Sequence, residues 1–559
     1  MEPMSRKDFL RGFAATVVAA TVPSLSMASP QEAAKATAAL TVDDLKNAQK
    51  VMGLSFTDEE LKAALKDIDD LLKSLPELRA AARDFDLAPA SVFRVLGHER
   101  AKGTKVSVKV RRPSGGVPKS DEDWAFCTVA DLGRLLRAGK TTSVDLTKLY
   151  IARLKKYGPK LRCVVTVTEE LALKQAERAD KELRSGHDRG PLHGIPYGLK
   201  DLFAVPGYPT TWGAAPYKDQ KIEKKAAVYE RLDAAGAVLV AKLSMGALAM
   251  GDVWFAGRTE SPWNAKIGAS GSSAGSGAAT AAGLVAFAIG TETSGSIVSP
   301  SHNNRVTGLR PTFGSVSRYG AMPLGWSMDK IGPMCRDAED CALVFAAIVG
   351  HDPRDASTIA RSFAYSSGVD VSKLKIGALV TKSQEGKAVD VSKREELKLL
   401  AEMGAQFKPV YLPPGPEGLQ AILMAEASAS FDDFTRSDKI QDLKSSEWPQ
   451  YFRGSRFLSG VDHVQADRAR RQLAMTYEER INAFDVIVGA GPSFQVVYQL
   501  NLTGHPQVLV PFGLQPNGLP RSLSLIGPAF SESLLLAVAW EIQKKTKQTL
   551  LRPDLRQWE

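Results

Sequence analysis

Two glycine loops that carry serines make residues 268–300 the chemically most informative part of this sequence. The first loop contains the pair Ser272-Ser273, and the second contains Ser296, 24 residues after Ser272. The apolar run at 284–289 predicts a buried strand that anchors both loops, and glycines let backbone N–H groups approach a ligand closely. A serine hydroxyl beside exposed N–H groups is what acyl transfer needs, namely a nucleophile and an oxyanion hole.

Other interpretations of this stretch compete with acyl transfer. A Gly/Ala-rich packing motif with incidental serines stays open on these residues alone. A phosphate-binding loop is excluded, because no Gly-Lys-Ser/Thr follows the glycines. Residues 271–275 also fit the pattern G-x-S-x-G, but a nucleophile elbow with that pattern directly follows a strand. The preceding residues, 261–266, are expected to form a loop, so we treat this match as accidental.

A lysine upstream of both loops offers a base. Lys200 follows a mostly uncharged run broken by glycines, residues 190–199, and a lone lysine at such a place usually ends a strand with its ammonium in solvent. The neighbours Ile195, Leu199 and Phe203 are apolar, however, and burial favours the neutral amine. A neutral lysine can take the proton of a serine hydroxyl.

Together these segments resemble the amidase-signature family of serine hydrolases. The resemblance starts near Asp123 and runs to the C-terminus. Further stretches similar to landmarks of that family are residues 128–132, 207–213, 306–320, 329–333 and 501–506. Several ordered motifs at compatible spacings make the match more specific than any one pattern.

The resemblance implies a Ser-Ser-Lys triad and an activity. Ser296 would be the nucleophile, Ser272 the bridging serine with a cis peptide bond, and Lys200 the base. The implied oxyanion hole consists of the backbone N–H groups of Thr293, Ser294, Gly295 and Ser296. The implied reaction is hydrolysis of a small-molecule carboxylic amide to an acid plus ammonia or an amine, through an acyl-enzyme. It requires no metal and no organic cofactor, and the sequence contains no H-E-x-x-H and no C-x-x-C motif.

The sequence departs from the family pattern near the nucleophile. The usual aspartate at the start of the catalytic loop is Glu292, and the usual arginine six residues later is Val298. Ala247 stands where the family frequently has glutamate. Because a buried carboxylate without a cation is costly, we hypothesise that Arg305 pairs with Glu292 in place of the missing arginine. An Arg305 that points into solvent is the alternative.

The elements that hold these residues are predicted from hydrophobic periodicity. The chain has 559 residues, 44% of them hydrophobic, which is enough for a large core. Helical and apolar strand-like segments alternate, and the strand-like ones include residues 238–241, 375–380 and 486–488. This alternation predicts an α/β fold. The resemblance implies a single large mixed β-sheet core that is covered by helices on both sides.

The predicted organisation has three parts: an export signal at 1–28, a helical extension and linker at 29–117, and the catalytic domain at 118–559. Within the extension, residues 41–84 are expected to be helical. Thr57 and Glu60 have the spacing of a capping box.

The N-terminus predicts export. Residues 5–10 resemble a twin-arginine motif in which lysine replaces the second arginine, and small residues at 26–28 resemble a cleavage site. The apolar segment between them, 12–22, is too short for a permanent membrane span. We therefore expect a periplasmic or secreted protein, or a cytoplasmic one if the signal does not function. The four cysteines allow three pairings and require none; they are Cys127, Cys163, Cys335 and Cys341.

The charge pattern does not favour a nucleic-acid partner. The net charge of +10 is spread along the chain. In the basic cluster at 102–112, lysines and arginines alternate with Val106, Val108 and Val110, which favours a strand with one solvated face over a nucleic-acid surface. The oligomeric state cannot be inferred from the sequence.

Two other functions remain as alternatives. One is the glutaminase component of a tRNA-dependent amidotransferase, its A subunit, but the other components and the tRNA are cytoplasmic, and the export signal argues against this function. The other is a non-catalytic binding protein on an amidase fold, against which an intact triad argues.

Overall fold

A computed structural model describes residues 40–81, 91, 105–111, 116–443, 446–515 and 518–559. The predicted export signal lies outside these residues. The chain divides into two compact units, Met1–Leu65 and Lys66–Glu559. The domain boundaries that the sequence suggested, at residues 28 and 117, stay predictions.

Along the chain, most helices of the described residues alternate with strands. They are α1 (Val42–Val51), α2 (Asp58–Ala81), α3 (Asp121–Ala125), α4 (Val129–Arg137), α5 (Ser143–Leu161), α6 (Glu169–Arg184), α7 (Ala227–Ala234), α8 (Ala274–Ala281), α9 (Val298–Asn304), α10 (Ala338–Ile348), α11 (Glu395–Glu402), α12 (Gln420–Ser430), α13 (Asp432–Thr435), α14 (Trp448–Gly454), α15 (Gly460–Asn482), α16 (Phe494–Thr503) and α17 (Glu532–Thr546).

The strands range from two-residue pairs to the eight residues of the longest one. They are β1 (Val106–Lys109), β2 (Val164–Val167), β3 (Pro196–Lys200), β4 (Val238–Leu243), β5 (Val253–Trp254), β6 (Gly257–Arg258), β7 (Glu260–Ser261), β8 (Asn264–Gly268), β9 (Phe287–Glu292), β10 (Thr307–Arg310), β11 (Lys330–Cys335), β12 (Phe363–Ser366), β13 (Ile376–Leu379), β14 (Phe407–Val410), β15 (Val486–Ala490), β16 (Gln507–Leu514) and β17 (Pro520–Ile526).

Eleven strands form one mixed sheet in the order β14-β13-β15-β17-β16-β10-β11-β9-β3-β4-β2. Strand β3 runs parallel to both of its neighbours, β9 and β4, whereas β11 runs antiparallel to β9 and to β10. The predicted α/β class with a single large mixed sheet is confirmed. In this order, β9 and β3 lie side by side, so the chain segments that follow them leave the sheet close together.

Both faces of the sheet carry a buried core. In β9, Phe287 and Ile289 belong to one hydrophobic cluster and Ala288 belongs to another, as the alternation of side chains along a strand requires. The first cluster includes side chains of α10 and α17, and the second includes side chains of α5, α6 and α8. Helices therefore cover the sheet on both sides, as expected.

The N-terminal extension, which the sequence predicted to be helical at 41–84, contains two helices, α1 and α2. Helix α1 ends because Gly53 adopts a left-handed conformation, and the N–H of Leu54 donates to the carbonyl of Gln49 at 2.9 Å, which closes the helix terminus. The predicted capping box begins α2: the N–H of Thr57 donates to Glu60 Oε2 at 2.9 Å, and the N–H of Glu60 donates to Thr57 Oγ1 at 3.3 Å.

Two local predictions near the serine loops are corrected. The strand expected at 284–289 begins at Phe287, because the N–H of Leu284 donates to the carbonyl of Ala279 and residues 284–286 complete the turn after α8. The loop expected at 261–266 instead contributes to the two-stranded sheet of β7 and β8. That small sheet is separate from the eleven-stranded sheet, so the serine pair still does not follow a central strand as a nucleophile elbow does.

Candidate active site

Lys200 is the last residue of strand β3, which lies between β9 and β4 in the sheet. The side chain is fully buried, and its Nζ is 2.8 Å from Ser272 Oγ, 3.1 Å from Ser273 Oγ and 2.8 Å from Thr291 Oγ1. Burial lowers the pKa of Lys200 to about 7, although the charges of Asp329 and Glu292 act in the opposite direction. A lysine with this pKa is neutral in a substantial fraction of molecules at neutral pH, so it can accept a proton.

The serine pair lies between β8 and α8. The peptide bond between Gly271 and Ser272 is cis, as the resemblance implied. A Cβ at Gly271 would lie 1.7 Å from the carbonyl oxygen of Gly251, so this position accepts only glycine. The close approach of the two backbones fixes the point from which Ser272 reaches Lys200.

Ser273 uses its hydroxyl in structural hydrogen bonds. Its Oγ donates to the carbonyl of Thr291 at 3.0 Å and accepts from the N–H of Thr291 at 3.1 Å, besides the contact with Lys200. A hydroxyl whose proton and lone pairs are engaged in this way is poorly placed to attack a substrate. The geometry therefore favours the first serine of the pair as the one that exchanges protons with Lys200.

The second loop, between β9 and α9, carries Ser296. The carbonyl of Ser296 accepts a hydrogen bond from the N–H of Ser273 at 3.1 Å, which joins the two serine loops. The structure thus brings Lys200 and Ser272 into direct contact and holds Ser296 beside the pair. The Ser296 hydroxyl makes no hydrogen bond within the described residues; catalytic hydrogen bonds often tighten only when substrate binds.

The N–H groups expected to form the oxyanion hole are unused. Across the ranges that the structure describes, the N–H groups of Thr293, Ser294, Gly295 and Ser296 donate to no acceptor. The next two N–H groups, of Ile297 and Val298, donate to Glu292 Oε2 at 2.8 and 2.9 Å. A run of free N–H groups ahead of a helix is suited to hold a developing negative charge.

Glu292 is braced from the opposite side by a residue that the sequence did not reveal. Its Oε1 accepts from Arg310 at 3.1 Å and from Asn501 Nδ2 at 2.7 Å, and both side chains of the Glu292–Arg310 pair are fully buried. Burial raises the pKa of Glu292, but Arg310, Asn501 and the N–H groups of the loop outweigh it and hold this pKa below its usual value. The carboxylate is therefore charged and orders the catalytic loop.

The predicted pairing of Arg305 with Glu292 is wrong. Arg305 ends α9 in a left-handed conformation and lies over the ring of Trp263, 4.4 Å from its centroid, with a hydrogen bond to Gln548. Helix α9 carries Arg305 away from the loop, whereas β10 carries Arg310 towards it. Val298, at the position of the missing arginine, packs with Val497 and Leu509.

We expect Arg310→Met to destabilise the protein by about 3–5 kcal/mol, because it leaves the Glu292 charge buried without a cation. Urea unfolding followed by circular dichroism measures this loss. Arg305→Met is the matched control and should cost less, and Glu292→Gln added to Arg310→Met should restore part of the stability. Equal unfolding midpoints for Arg310→Met and the wild type would contradict the assigned pair.

A cavity of about 370 Å³ opens beside the catalytic loop. Thr291 and Thr293 line it, so it adjoins both the Lys200 hydrogen bonds and the unused N–H groups. The other lining residues are Leu202, Ala249, Arg318, Tyr319, Ala321, Met322, Pro323, Leu324, Trp326, Asp329, Lys330, Ile331, Arg354, Asp355, Ala356 and Ser357. This cavity is the candidate substrate site.

Comparison with known proteins shows the family to which this chain belongs. The amidase family model matches residues 145–489. The A subunit of the glutamyl-tRNA(Gln) amidotransferase from Chloroflexus aggregans is 33% identical over 481 residues, which cover 77% of this chain and 98% of that protein. The protein of the same name from Methylococcus capsulatus is 32% identical over 473 residues, covering 75% and 97% of the two chains.

A similar solved structure is the native peptide amidase from Stenotrophomonas maltophilia. It superposes with a TM-score of 0.67 at 30% sequence identity and covers 76% of this chain and 98% of that one. The likeness therefore extends over nearly the whole length of that enzyme.

Proposed function

This chain belongs to the amidase family and is an amide-hydrolysing enzyme, and from that premise we propose that it works through an acyl-enzyme on Ser296. Ser272 and Lys200 serve as its proton relay. The observation that carries the proposal is the 2.8 Å contact between Ser272 Oγ and the buried amine of Lys200. The resemblance to amidase-signature enzymes supports the same assignment.

In the first half of the reaction, Ser296 Oγ attacks the carbonyl carbon of the amide. Its proton passes to the Ser272 oxygen while the Ser272 proton passes to the neutral amine of Lys200. The carbonyl oxygen takes up the electron pair, and the N–H groups of residues 293–296 stabilise its charge. The proton then returns from Lys200 through Ser272 to the leaving nitrogen, the C–N bond breaks, and the acyl group remains on Ser296.

In the second half, water attacks the ester on Ser296 and the same relay accepts and returns one proton. The products are the carboxylic acid and the free Ser296 hydroxyl, and the first half has already released ammonia or an amine. Glu292 supports both steps by keeping the loop ordered, so that the N–H groups need no reorganisation when charge develops.

A second candidate is the glutaminase reaction, because relatives at 32–33% identity are named as amidotransferase A subunits. A substrate panel separates the candidates: purified protein is incubated with alkyl amides, aryl amides and glutamine, and released ammonia or amine is measured against Ser296→Ala as control. Hydrolysis of simple amides supports the amidase proposal, and hydrolysis of glutamine alone supports the glutaminase. Release by neither route would contradict both candidates.

We propose that residues 1–28 direct export, on the basis of the twin-arginine-like segment at 5–10. Within the ranges that the structure covers, no helix has the length and apolar character of a membrane span.

A reporter fused to residues 1–40 is expected to leave the cytoplasm, because Arg6 and Lys7 occupy the positions of the twin arginines. Cell fractionation of the reporter measures this. Replacing Arg6 and Lys7 by glutamine should retain the reporter in the cytoplasm, and unchanged export of that variant would exclude the twin-arginine route.

A further inference from the structure

The cavity beside the catalytic loop offers no free charge to a substrate, although charged residues line it. Arg318 makes four hydrogen bonds, to Asp355, Ser357 and the carbonyl of Trp326. Arg354 also makes four, to Asp352 and Glu230. Nearly all N–H donors of each guanidinium are therefore used inside the protein.

The remaining charged groups of the lining are also satisfied. Asp355 accepts from Arg318 and Ser357. Asp329 accepts from Thr293 Oγ1 at 2.6 Å and from the N–H groups of residues 324 and 325. Lys330 donates to the main-chain carbonyls of residues 328 and 501. A charged substrate group would have to break one of these contacts without a gain elsewhere, which is unfavourable in a partly desolvated site.

The apolar part of the lining ends in an aromatic side chain that has no partner. Trp326 is 47% exposed, and its indole makes no ring contact or hydrogen bond across the described ranges of the chain. The apolar residues that line the cavity with it include Leu202, Met322, Leu324 and Ile331. A flat apolar surface that is open to the cavity can stack on a flat group of a ligand.

The backbone around Trp326 is fixed by charged hydrogen bonds. The N–H of Ser327 donates to Glu426 Oε2 at 2.9 Å, and Arg470 donates to both the hydroxyl and the carbonyl of Ser327 at 2.6 Å. Arg318 holds the carbonyl of Trp326 itself. Such charge-assisted bonds are stronger than neutral ones, so the ring is presented to a ligand in a defined place.

This segment is also joined to the oxyanion loop. The Asp329 carboxylate bridges Thr293 and the N–H groups of Leu324 and Gly325. A Cβ at Gly325 would lie 3.5 Å from Thr293 Cγ2, so the residue before Trp326 packs against the loop. A group that stacks on Trp326 is thereby held close to the N–H groups that would bind the amide carbonyl oxygen.

We propose that Trp326 is a specificity-determining residue that selects uncharged amides with a flat aromatic group. The proposal rests on the proposed amide hydrolysis and specifies its substrate class. Stacking on the indole contributes to binding of the substrate and of the transition state alike, so its loss should raise KM more than it lowers kcat.

The test compares benzamide with cyclohexanecarboxamide, two uncharged amides of similar size that differ in flatness, and with 4-carboxybenzamide, which is charged. We expect the wild type to prefer benzamide to cyclohexanecarboxamide by about tenfold in kcat/KM, as stacking predicts, and to turn over 4-carboxybenzamide at least as poorly as the non-planar amide. Trp326→Ala should remove the preference mainly through KM, and Trp326→Phe should keep most of it. Phe255→Ala, at a partly exposed ring outside the cavity lining, should leave the preference unchanged.

Two outcomes overturn the proposal. In the first, the wild type hydrolyses both neutral amides and Trp326→Ala keeps the preference for benzamide. The proposed function then stands, but Trp326 does not determine specificity. The second comes from a binding experiment. Benzamide is titrated in a thermal-shift assay into the Ser296→Ala variant and into the same variant that also carries Trp326→Ala, and equal affinities exclude a role for Trp326. Weaker binding of benzamide to the variant without Trp326 supports the role of this residue. If the wild type binds benzamide in this way but does not hydrolyse it, the proposed function fails and the role of Trp326 in binding stands.

Discussion

Replacing Ser296 by alanine is expected to lower kcat by about 10⁶-fold, the loss seen when a serine hydrolase loses its nucleophile. The reason is chemical: without Ser296 Oγ no acyl-enzyme forms, and the free N–H groups of the loop can only assist direct attack by water. Steady-state release of ammonia or amine from a neutral amide measures the loss.

Ser294→Ala is the matched control for this experiment. It removes a hydroxyl from the same loop but keeps the backbone N–H that the oxyanion hole needs, so it should retain activity within about tenfold, far from the loss of the nucleophile. If Ser296→Ala keeps a rate close to that of the wild type, Ser296 is not the nucleophile.

Lys200→Arg is expected to lose nearly all activity, because a guanidinium cannot give up its proton in the working range of pH. In the wild type, the neutral amine is the active form. Burial places the pKa of Lys200 at about 7, so kcat/KM should rise with pH through this value and level off on the alkaline side. A pH profile of kcat/KM measures the midpoint of this rise.

Replacing Lys200 by an uncharged residue should remove activity without lowering stability. The folded-state pKa of Lys200 lies below that of an unfolded lysine, so the unfolded chain binds the extra proton between pH 7 and the ordinary lysine pKa of 10.5. Burying the lysine therefore costs stability, most of all at and below pH 7, and the cost diminishes as pH rises through that window. Lys200→Met should be inactive but no less stable than the wild type at neutral pH. A Lys200→Arg variant with normal activity, or a profile without the alkaline plateau, would exclude Lys200 as the base.

Local patterns in the sequence singled out the sheet-bound lysine and the serine pair, but their catalytic roles were implied by the family resemblance and stay predictions. An uncharged run broken by glycines led to Lys200, and the glycine loops led to Ser272. The family assignment, which rests on these and further motifs, and the α/β class, which was predicted from the alternation of helical and strand-like segments, are confirmed. Thr291 was missed as a partner of Lys200. Their contact depends on β3 and β9 being neighbours in the sheet, and periodicity along a chain does not determine strand order.

The partner of Glu292 also could not be predicted from local sequence. Sequence proximity favoured Arg305 as the partner of Glu292, but the short helix α9 lies between them and carries Arg305 away. Arg310 comes from β10, two strands from β9 in the sheet order, and reaches the same carboxylate. The choice between two nearby arginines depended on the direction in which a helix and a strand run, which residue types do not encode.

The N-terminal extension was predicted in part. Apolar residues at helical spacing predicted helix within 41–84, and Thr57 and Glu60 predicted a helix start, but the break at Gly53 was not predicted. The left-handed glycine ends the first helix, and the capping box then starts the second. The far end of α2 joins the core, where Leu71, Leu75 and Leu78 pack with Leu419 and Ile422, a tertiary contact that no local pattern predicts.

The most direct test of the central claim is to find which serine forms the covalent bond. The protein is treated with a fluorophosphonate, digested, and analysed by tandem mass spectrometry. We expect a single adduct on Ser296, and none after Lys200→Arg at neutral pH, because the unactivated hydroxyl reacts slowly. An adduct on Ser273, together with an active Ser296→Ala variant, would contradict the account and revive a nucleophile elbow at residues 271–275.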